Sequence, residues 1–420
     1  MDVAVLDTGV DSGHPDLADR IADAASFVPD EGVFDDYTGH GTHVASTIAG
    51  TGAASGGKEK GVAPGAALHI GKVLGTTCDV LGCGAHGRES WILAGMEWAA
   101  RDQHAKVINM SLGGAPSSGD DPMSQAVNRL SAETGALFVI AAGNSGAPYT
   151  VGSPGAADAA LTVGAVDTSD QLADFSSQGP RAGDYGLKPE LTAPGVDVLA
   201  ARSHLSEGDG RYRTMSGTSM SAPHVAGAAA LLAVAHPDWT GQQLKDALIS
   251  SAKATPHYTP YEAGAGRLDV AAAVRDTVFA TGSAYSGYHL WPHQPGEKGD
   301  KAVTYTNIAD APVTLNLVIN APDAPQNLFT LSATQVTVPA HGTSKVTLTA
   351  DLDKAPLDSH FSGVINAFGA DGKVVAHTLI GVGKEAERYN LGHRQGPRRQ
   401  AALRATHRGG KQYLPPVRAR

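Results

Sequence analysis

Asp7 sits directly after the apolar residues Val3, Val5 and Leu6 in the opening stretch "MDVAVLDTGVD". A carboxylate just past a buried strand is costly unless a neighbour uses it. The tripeptide Asp-Thr-Gly belongs to two unrelated hydrolytic designs. In one, two aspartates share a proton and activate water. In the other, a single aspartate orients a histidine that serves a serine nucleophile. The first design requires a second apolar–Asp–Thr/Ser–Gly segment, and the chain has none. Its nearest echo, Glu133-Thr134-Gly135, closes a helical pattern.

The second design needs a base, a group that orients it, a nucleophile and donors for an oxyanion. "TGHGTHVAS" (38–46) offers His40, flanked by Gly39 and Gly41, which allow close backbone approach. "MSGTSMSAPHVAG" (215–227) offers Ser219 at the start of an apolar helical stretch, where the helix field favours negative charge. "VIAAGNSG" (139–146) ends a strand pattern with Asn144, whose amide is a donor of the kind an oxyanion hole uses. Taken singly, each has a plainer role: a core histidine, a helix N-cap serine, an Asn-Ser-Gly turn. Their joint occurrence in the order Asp, His, Asn, Ser favours acyl transfer. His40 and His43 are spaced to share a helix face, but no third ligand accompanies them. No metal site is expected, and His43 reads as a buried neighbour of the site.

Several elements must position these residues. "VAVLD" (3–7), "LHIGKVL" (68–74), "KVINMSL" (106–112), "ALFVIAAGN" (136–144) and "LTVGAV" (161–166) read as buried strands. Between them, 88–102 and 121–135 read as helices, with Ile92, Met96 and Ala99 on one face of the first. Strand–helix alternation predicts an α/β fold with a mostly parallel sheet flanked by helices. Working sites in such sheets lie beyond the carboxyl ends of the strands, where Asp7, Ser111 and Asn144 fall. The run 221–236 has no polar face and predicts a buried central helix. Thr240 and Gln243 form a capping-box signature for the next helix.

Past residue 280 the period changes. Val313, Leu315, Leu317 and Ile319 alternate with Thr314, Asn316, Val318 and Asn320, and Asp371-Gly372 reads as a hairpin turn. About seven such strands fit between roughly 300 and 383, which predicts a small all-β sandwich. The expected organisation is a catalytic domain over 1–280, a β-sandwich over 285–385 and a basic, disordered tail over 386–420. That tail is either a functional basic segment or the product of an altered reading frame.

The whole chain bounds these readings. Its 420 residues suit two domains, 42% apolar content supports a large core, and 51 glycines imply many tight turns. A net charge of −10 argues against a nucleic-acid partner. No membrane span is expected, since no apolar run approaches ~18 residues. No signal-peptide pattern opens the chain. Cys78 and Cys83, in "TTCDVLGCG", are either a small local disulfide or two free thiols.

The segments "VAVLDTGVDSGHPDL", "GHGTHVAS", "NMSLGG", "AAGNSG" and "SGTSMSAPHVAG" resemble the subtilases, the subtilisin-like serine peptidases. The match is collinear from residue 1 to about 275 and includes "FSSQGP" (175–180) and "LTAPG" (191–195). It implies that Asp7, His40 and Ser219 are the catalytic aspartate, base and nucleophile, the chain order known for subtilisin, with Asn144 in the oxyanion hole. It also implies that Ser111, Leu112 and Gly113 pair with an extended substrate. Ala141, Ala142 and Gly143 would wall the primary pocket, Gly152 would form its base, and Pro154 would be cis. Small uncharged walls predict a bulky apolar P1 residue. The chemistry requires no cofactor. Asp16 matches a family calcium ligand, but 50–61 lacks oxygen-rich side chains, which leaves a structural calcium open.

The implied partners are protein or peptide substrates, with a propeptide expected that this chain does not contain. The implied state is an extracellular monomer, and the β-sandwich resembles the fibronectin-type modules that follow some subtilase domains. The rival reading is a catalytically silent peptide-binding or scaffold protein.

Overall fold

The computed structural model describes residues 1–79 and 82–388. The predicted basic tail lies outside the described residues from position 389 onward.

The chain begins with β1 (Asp2–Asp7), β2 (Ile21–Ser26), α1 (His40–Ala49) and β3 (Ala67–Lys72), then the paired strands β4 (Leu74–Asp79) and β5 (Gly82–Gly87). Next come α2 (Glu89–Glu97), β6 (Val107–Met110), α3 (Pro122–Thr134), β7 (Leu137–Ala141), β8 (Leu161–Val166) and β9 (Leu191–Pro194). An antiparallel pair, β10 (Val198–Ala201) and β11 (Tyr212–Met215), precedes α4 (Thr218–Ala235), α5 (Gly241–Ser250), α6 (Pro260–Ala263) and α7 (Val270–Arg275).

Seven strands form one parallel sheet in the order β2-β3-β1-β6-β7-β8-β9. β1 therefore lies inside the sheet, and its alternate residues feed two cores. Val3 and Val5 pack in the cluster that holds α1 and α4, whereas Ala4 and Leu6 pack with Ile92, Met96 and Leu130 of α2 and α3. Burial on both faces is why the strand reads as a continuous apolar run rather than an alternation. α4 is apolar and long enough to cross a membrane by length and composition, but 72% of it is buried inside the fold. It packs against α1 and against β6, β7, β8 and β9, which makes it the central helix expected for 221–236.

Three local outcomes refine the sequence reading. The run 68–74 is interrupted at Val73, whose amide donates to the Asp7 carbonyl at 2.9 Å. Beyond it the chain turns into β4 and β5, where Cys78 and Cys83 face each other in register and form a disulfide. The predicted helix 88–102 ends its α-helical part at Glu97 and finishes as a π-helical turn, Trp98–Asp102. The capping box at Thr240 and Gln243 is present.

The C-terminal part is all-β: β12 (Val278–Ala280), β13 (Ser283–His289), β14 (Lys298–Asn307), β15 (Val313–Asn320), β16 (Phe329–Leu331), β17 (Gln335–Val338), β18 (Gly342–Asp351), β19 (Ser359–Phe368) and β20 (Val374–Lys384). They form two sheets, β12-β14-β18-β16 and β13-β20-β19-β15-β17. One apolar core joins them, with Val303, Tyr305, Leu348, Ile365 and Val382 at its centre. Leu315 and Leu317 point into this core while Asn316 between them is exposed. The turn between β19 and β20 carries Gly372 at φ 74°, a left-handed conformation that favours glycine.

Candidate active site

Asp7 ends β1 and is fully buried. Its Oδ1 accepts from the Thr8 amide at 2.8 Å and lies 2.7 Å from His40 Nδ1. The loop after β1 is held from beneath by Lys72, which faces Asp7 in the sheet register. Lys72 Nζ is buried and donates to the carbonyl oxygens of Thr8 at 2.7 Å and Asp35 at 2.9 Å.

His40 opens α1. The residue before it, Gly39, has φ 72°, and a Cβ on Gly41 would stand 2.1 Å from the Gly9 carbonyl oxygen. Both glycines are thus required where the helix start meets the loop after β1. A second carboxylate, Asp36, organises this junction. Its Oδ1 accepts from Thr8 Oγ1 at 2.8 Å and the Gly39 amide at 3.0 Å, and its Oδ2 accepts from the Thr42 amide at 2.9 Å. Nothing in the spacing of the sequence singled Asp36 out, although it lies only four residues before His40.

The imidazole is mostly buried, with 20% of its side chain exposed. Burial alone would lower its pKa, but the charge and hydrogen bond of Asp7, aided by Asp36, outweigh burial and raise it. His43, one turn on, is buried against the Val198 carbonyl at 2.9 Å, and burial pushes it down to about 4. It is a neutral neighbour of the site.

Ser219 is the second residue of α4, and the helix has Gly217 as N-cap with no side-chain capping bond. The N-cap role is therefore not its job. Its Oγ donates to the Ser111 carbonyl at 3.1 Å, and Ser111 Oγ donates back to the Ser219 carbonyl at 2.7 Å. Asn144 is exposed just past β7, and its Oδ1 accepts from the Thr218 amide and hydroxyl, both at 2.9 Å. That fixes the amide orientation and leaves Nδ2 without a partner among the described residues, beside the N-terminus of α4. Thr218 is a supporting residue that the sequence did not reveal.

A cleft of about 440 Å³ is lined by His40, Ser111, Leu112 and Gly113, together with Ala85 and His86 of β5. The segments around Gly113, Ala142 and Gly152 run side by side: the Gly114 amide donates to the Ser153 carbonyl at 2.7 Å, and the Gly152 amide to the Ala142 carbonyl at 3.3 Å. Ala141 and Ala142 are buried and Gly143 is partly open. A Cβ on Gly152 would stand 2.4 Å from the Gly114 carbonyl oxygen, so backbone approach alone demands glycine there. The Ser153–Pro154 bond is cis.

Both carboxylate oxygens of Asp16 are engaged by donors of the protein. Its Oδ1 accepts from the Ala54 amide at 2.8 Å and its Oδ2 from the Tyr212 hydroxyl at 2.8 Å. Among the described residues no group of three or more His, Cys, Asp or Glu could hold a metal ion.

Comparison with known proteins identifies the family. The family model described as "Subtilase family" matches residues 1–266. Subtilisin NAT of Bacillus subtilis subsp. natto is 40% identical over 277 residues, covering 65% of each chain. The chain thus spans about two-thirds of that relative's length. The subtilisin of Bacillus pumilus is 40% identical over 277 residues, covering 65% of this chain and 90% of its own. Among solved structures, a cold adapted subtilisin-like serine proteinase aligns with a TM-score of 0.51 and 32% identity, over 64% of this chain and 86% of that one. The chain belongs to the subtilase family of serine peptidases.

Proposed function

We propose that the protein is a serine endopeptidase that hydrolyses peptide bonds through Asp7, His40 and Ser219 and an acyl-enzyme intermediate. The observation that carries this reading is the 2.7 Å contact between Asp7 Oδ1 and His40 Nδ1. With Nδ1 engaged, Nε2 is the imidazole's proton acceptor. Ser219 Oγ leaves its resting bond to the Ser111 carbonyl, passes its proton to Nε2 and attacks the scissile carbonyl carbon. The oxyanion is held by Asn144 Nδ2 and the Ser219 amide, whose helix start needs no side-chain cap. Collapse breaks the C–N bond as His40 returns the proton to the leaving amine. Water then repeats the sequence on the ester and regenerates Ser219.

Ser111, Leu112 and Gly113 offer a strand edge to the substrate backbone, and Ala141, Ala142, Gly143 and Gly152 form an uncharged primary pocket for a bulky apolar P1 side chain. No cofactor takes part. The enzyme acts extracellularly as a monomer on protein substrates, after removal of a propeptide. Residues 285–385 serve as a fibronectin type III-like module behind a catalytic domain over 1–280.

Labelling with a fluorophosphonate tests the reading. Wild type should label and Ser219→Ala should not, and a P1 series should favour Phe, Tyr, Leu or Met. A folded protein that binds peptide yet neither labels nor turns over would be the silent scaffold instead.

A further inference from the structure

The cleft carries a cation that the catalytic reading does not use. Arg213, on β11, lines it together with Thr38, His40 and Met215. Its Nη1 donates to the Thr38 carbonyl oxygen at 3.1 Å, and a Cβ on Gly39 would stand 3.4 Å from the same nitrogen. The guanidinium is thus pinned over the segment that leads into His40. Its positive charge is felt there, since it opposes protonation of both His40 and His43.

Arg213 has no carboxylate partner among the described residues. Asp36, the acid nearest in sequence to Thr38, is turned inward and occupied by Thr8, Gly39 and Thr42. Asp7 is committed to Thr8 and His40. The ionisable groups that line the cleft are His40, His86 and Arg213, with no Asp or Glu among them. A guanidinium offers five N–H donors in a planar fork that matches a carboxylate. Thr38 takes one, and the others have no partner among the described residues.

We propose that Arg213 is a specificity-determining residue that selects substrates with an acidic side chain flanking P1, at P2 or P1′. The inference rests on the endopeptidase reading. The P1 side chain enters the uncharged pocket beside Ala141 and Gly152, and Arg213 stands on the His40 side of the cleft. The carboxylate it meets therefore belongs to a neighbouring substrate residue.

The test uses fluorogenic peptides with Phe fixed at P1 and Asp/Asn or Glu/Gln pairs at P2 and P1′. Wild type should prefer the acid at one of these positions by about tenfold in kcat/KM at low salt, the worth of one charge-assisted contact at a partly exposed site. Added salt should shrink the ratio. Arg213→Gln should bring it near one, Arg213→Lys should retain part of it, and Arg213→Glu should favour Lys over Asp. A wild-type ratio near one at both positions, or a ratio that survives Arg213→Gln, overturns the proposal. The dissociation constants of the same peptides on Ser219→Ala read the preference without turnover. Loss of activity would then count against the endopeptidase reading alone, while the binding ratio still decides the role of Arg213.

Discussion

Two buried charge centres in the parallel-sheet domain are built on opposite plans. At the first, Asp7 Oδ1 serves Thr8 and His40, while Oδ2 has no hydrogen-bond partner among the described residues. At the second, Glu190 Oε1 accepts from Lys188 at 2.7 Å and Lys245 at 2.8 Å, and Oε2 accepts from the Thr162 amide at 2.8 Å. Lys188 also donates to the Ala160 carbonyl and Thr162 hydroxyl, and Lys245 to the carbonyls of Asp158 and Ala160. Each ammonium therefore has three acceptors for three protons. Burial opposes charge on Glu190, but the two ammoniums outweigh it and hold its pKa below the ordinary carboxylate value. The saturated centre has nothing left to offer a substrate. The Asp7 centre keeps one ring nitrogen and one carboxylate oxygen in reserve. The two centres are equally buried and differ in how completely their hydrogen bonding is satisfied.

Mutation should separate the two plans. Asp7→Asn preserves shape but favours the wrong His40 tautomer, and should lower kcat by about 10⁴, the loss known for an equivalent aspartate on another fold. Its urea midpoint should move little. A joint collapse of activity and stability would make Asp7 a structural acid like Glu190. Glu190→Ala should do the reverse: two buried ammoniums without a counter-ion destabilise the fold by about 3–5 kcal/mol. Turnover per titrated active site should stay near wild type, and a specific loss of kcat would tie the cluster to the chemistry. Asn144→Ala should lower kcat by about 10²–10³, a range measured on a subtilisin, with KM little changed. A rise in KM alone would make Asn144 a ground-state contact.

The contrast also explains what the sequence could and could not reveal. Asp7, His40 and Ser219 stood out as candidates because each lies at the edge of a strongly patterned element: an apolar strand, a glycine-flanked helix start, an all-apolar helix. Thr218 and Asp36 did not, because their partners come from segments far apart in the chain or from a loop without periodicity. Arg213 sits on a short strand whose burial alternates weakly, so nothing marked it as facing the cleft. The Lys188–Glu190–Lys245 cluster was invisible for a related reason. Lys245 lies within a well-capped helix and reads there as a solvated charge, until α5 is laid against the carbonyls of Asp158 and Ala160. The β4–β5 hairpin was hidden by its lack of apolar alternation, and only the register of Cys78 with Cys83 shows why two cysteines stand five positions apart.

The smallest effect concerns pH, and it sharpens the comparison further. His40 titrates above its ordinary value of 6.5 because Asp7 favours the imidazolium. The base works only when neutral, so the acid limb of kcat/KM should have its midpoint above 6.5. The same shift has the opposite sign for the fold. The native state holds the His40 proton more tightly than the unfolded chain does. This stabilisation is complete below the unfolded pKa and is lost as pH rises through the folded one. The stability gap between wild type and Asp7→Asn should therefore narrow across the range in which activity rises. Urea titrations of both proteins on either side of the limb, alongside the rate profile, check this. A limb below the ordinary histidine value, or a gap that widens with pH, would mean that Asp7 does not hold the His40 proton. The ion pair that prepares the base is thus worth least to the fold at the pH where the base works.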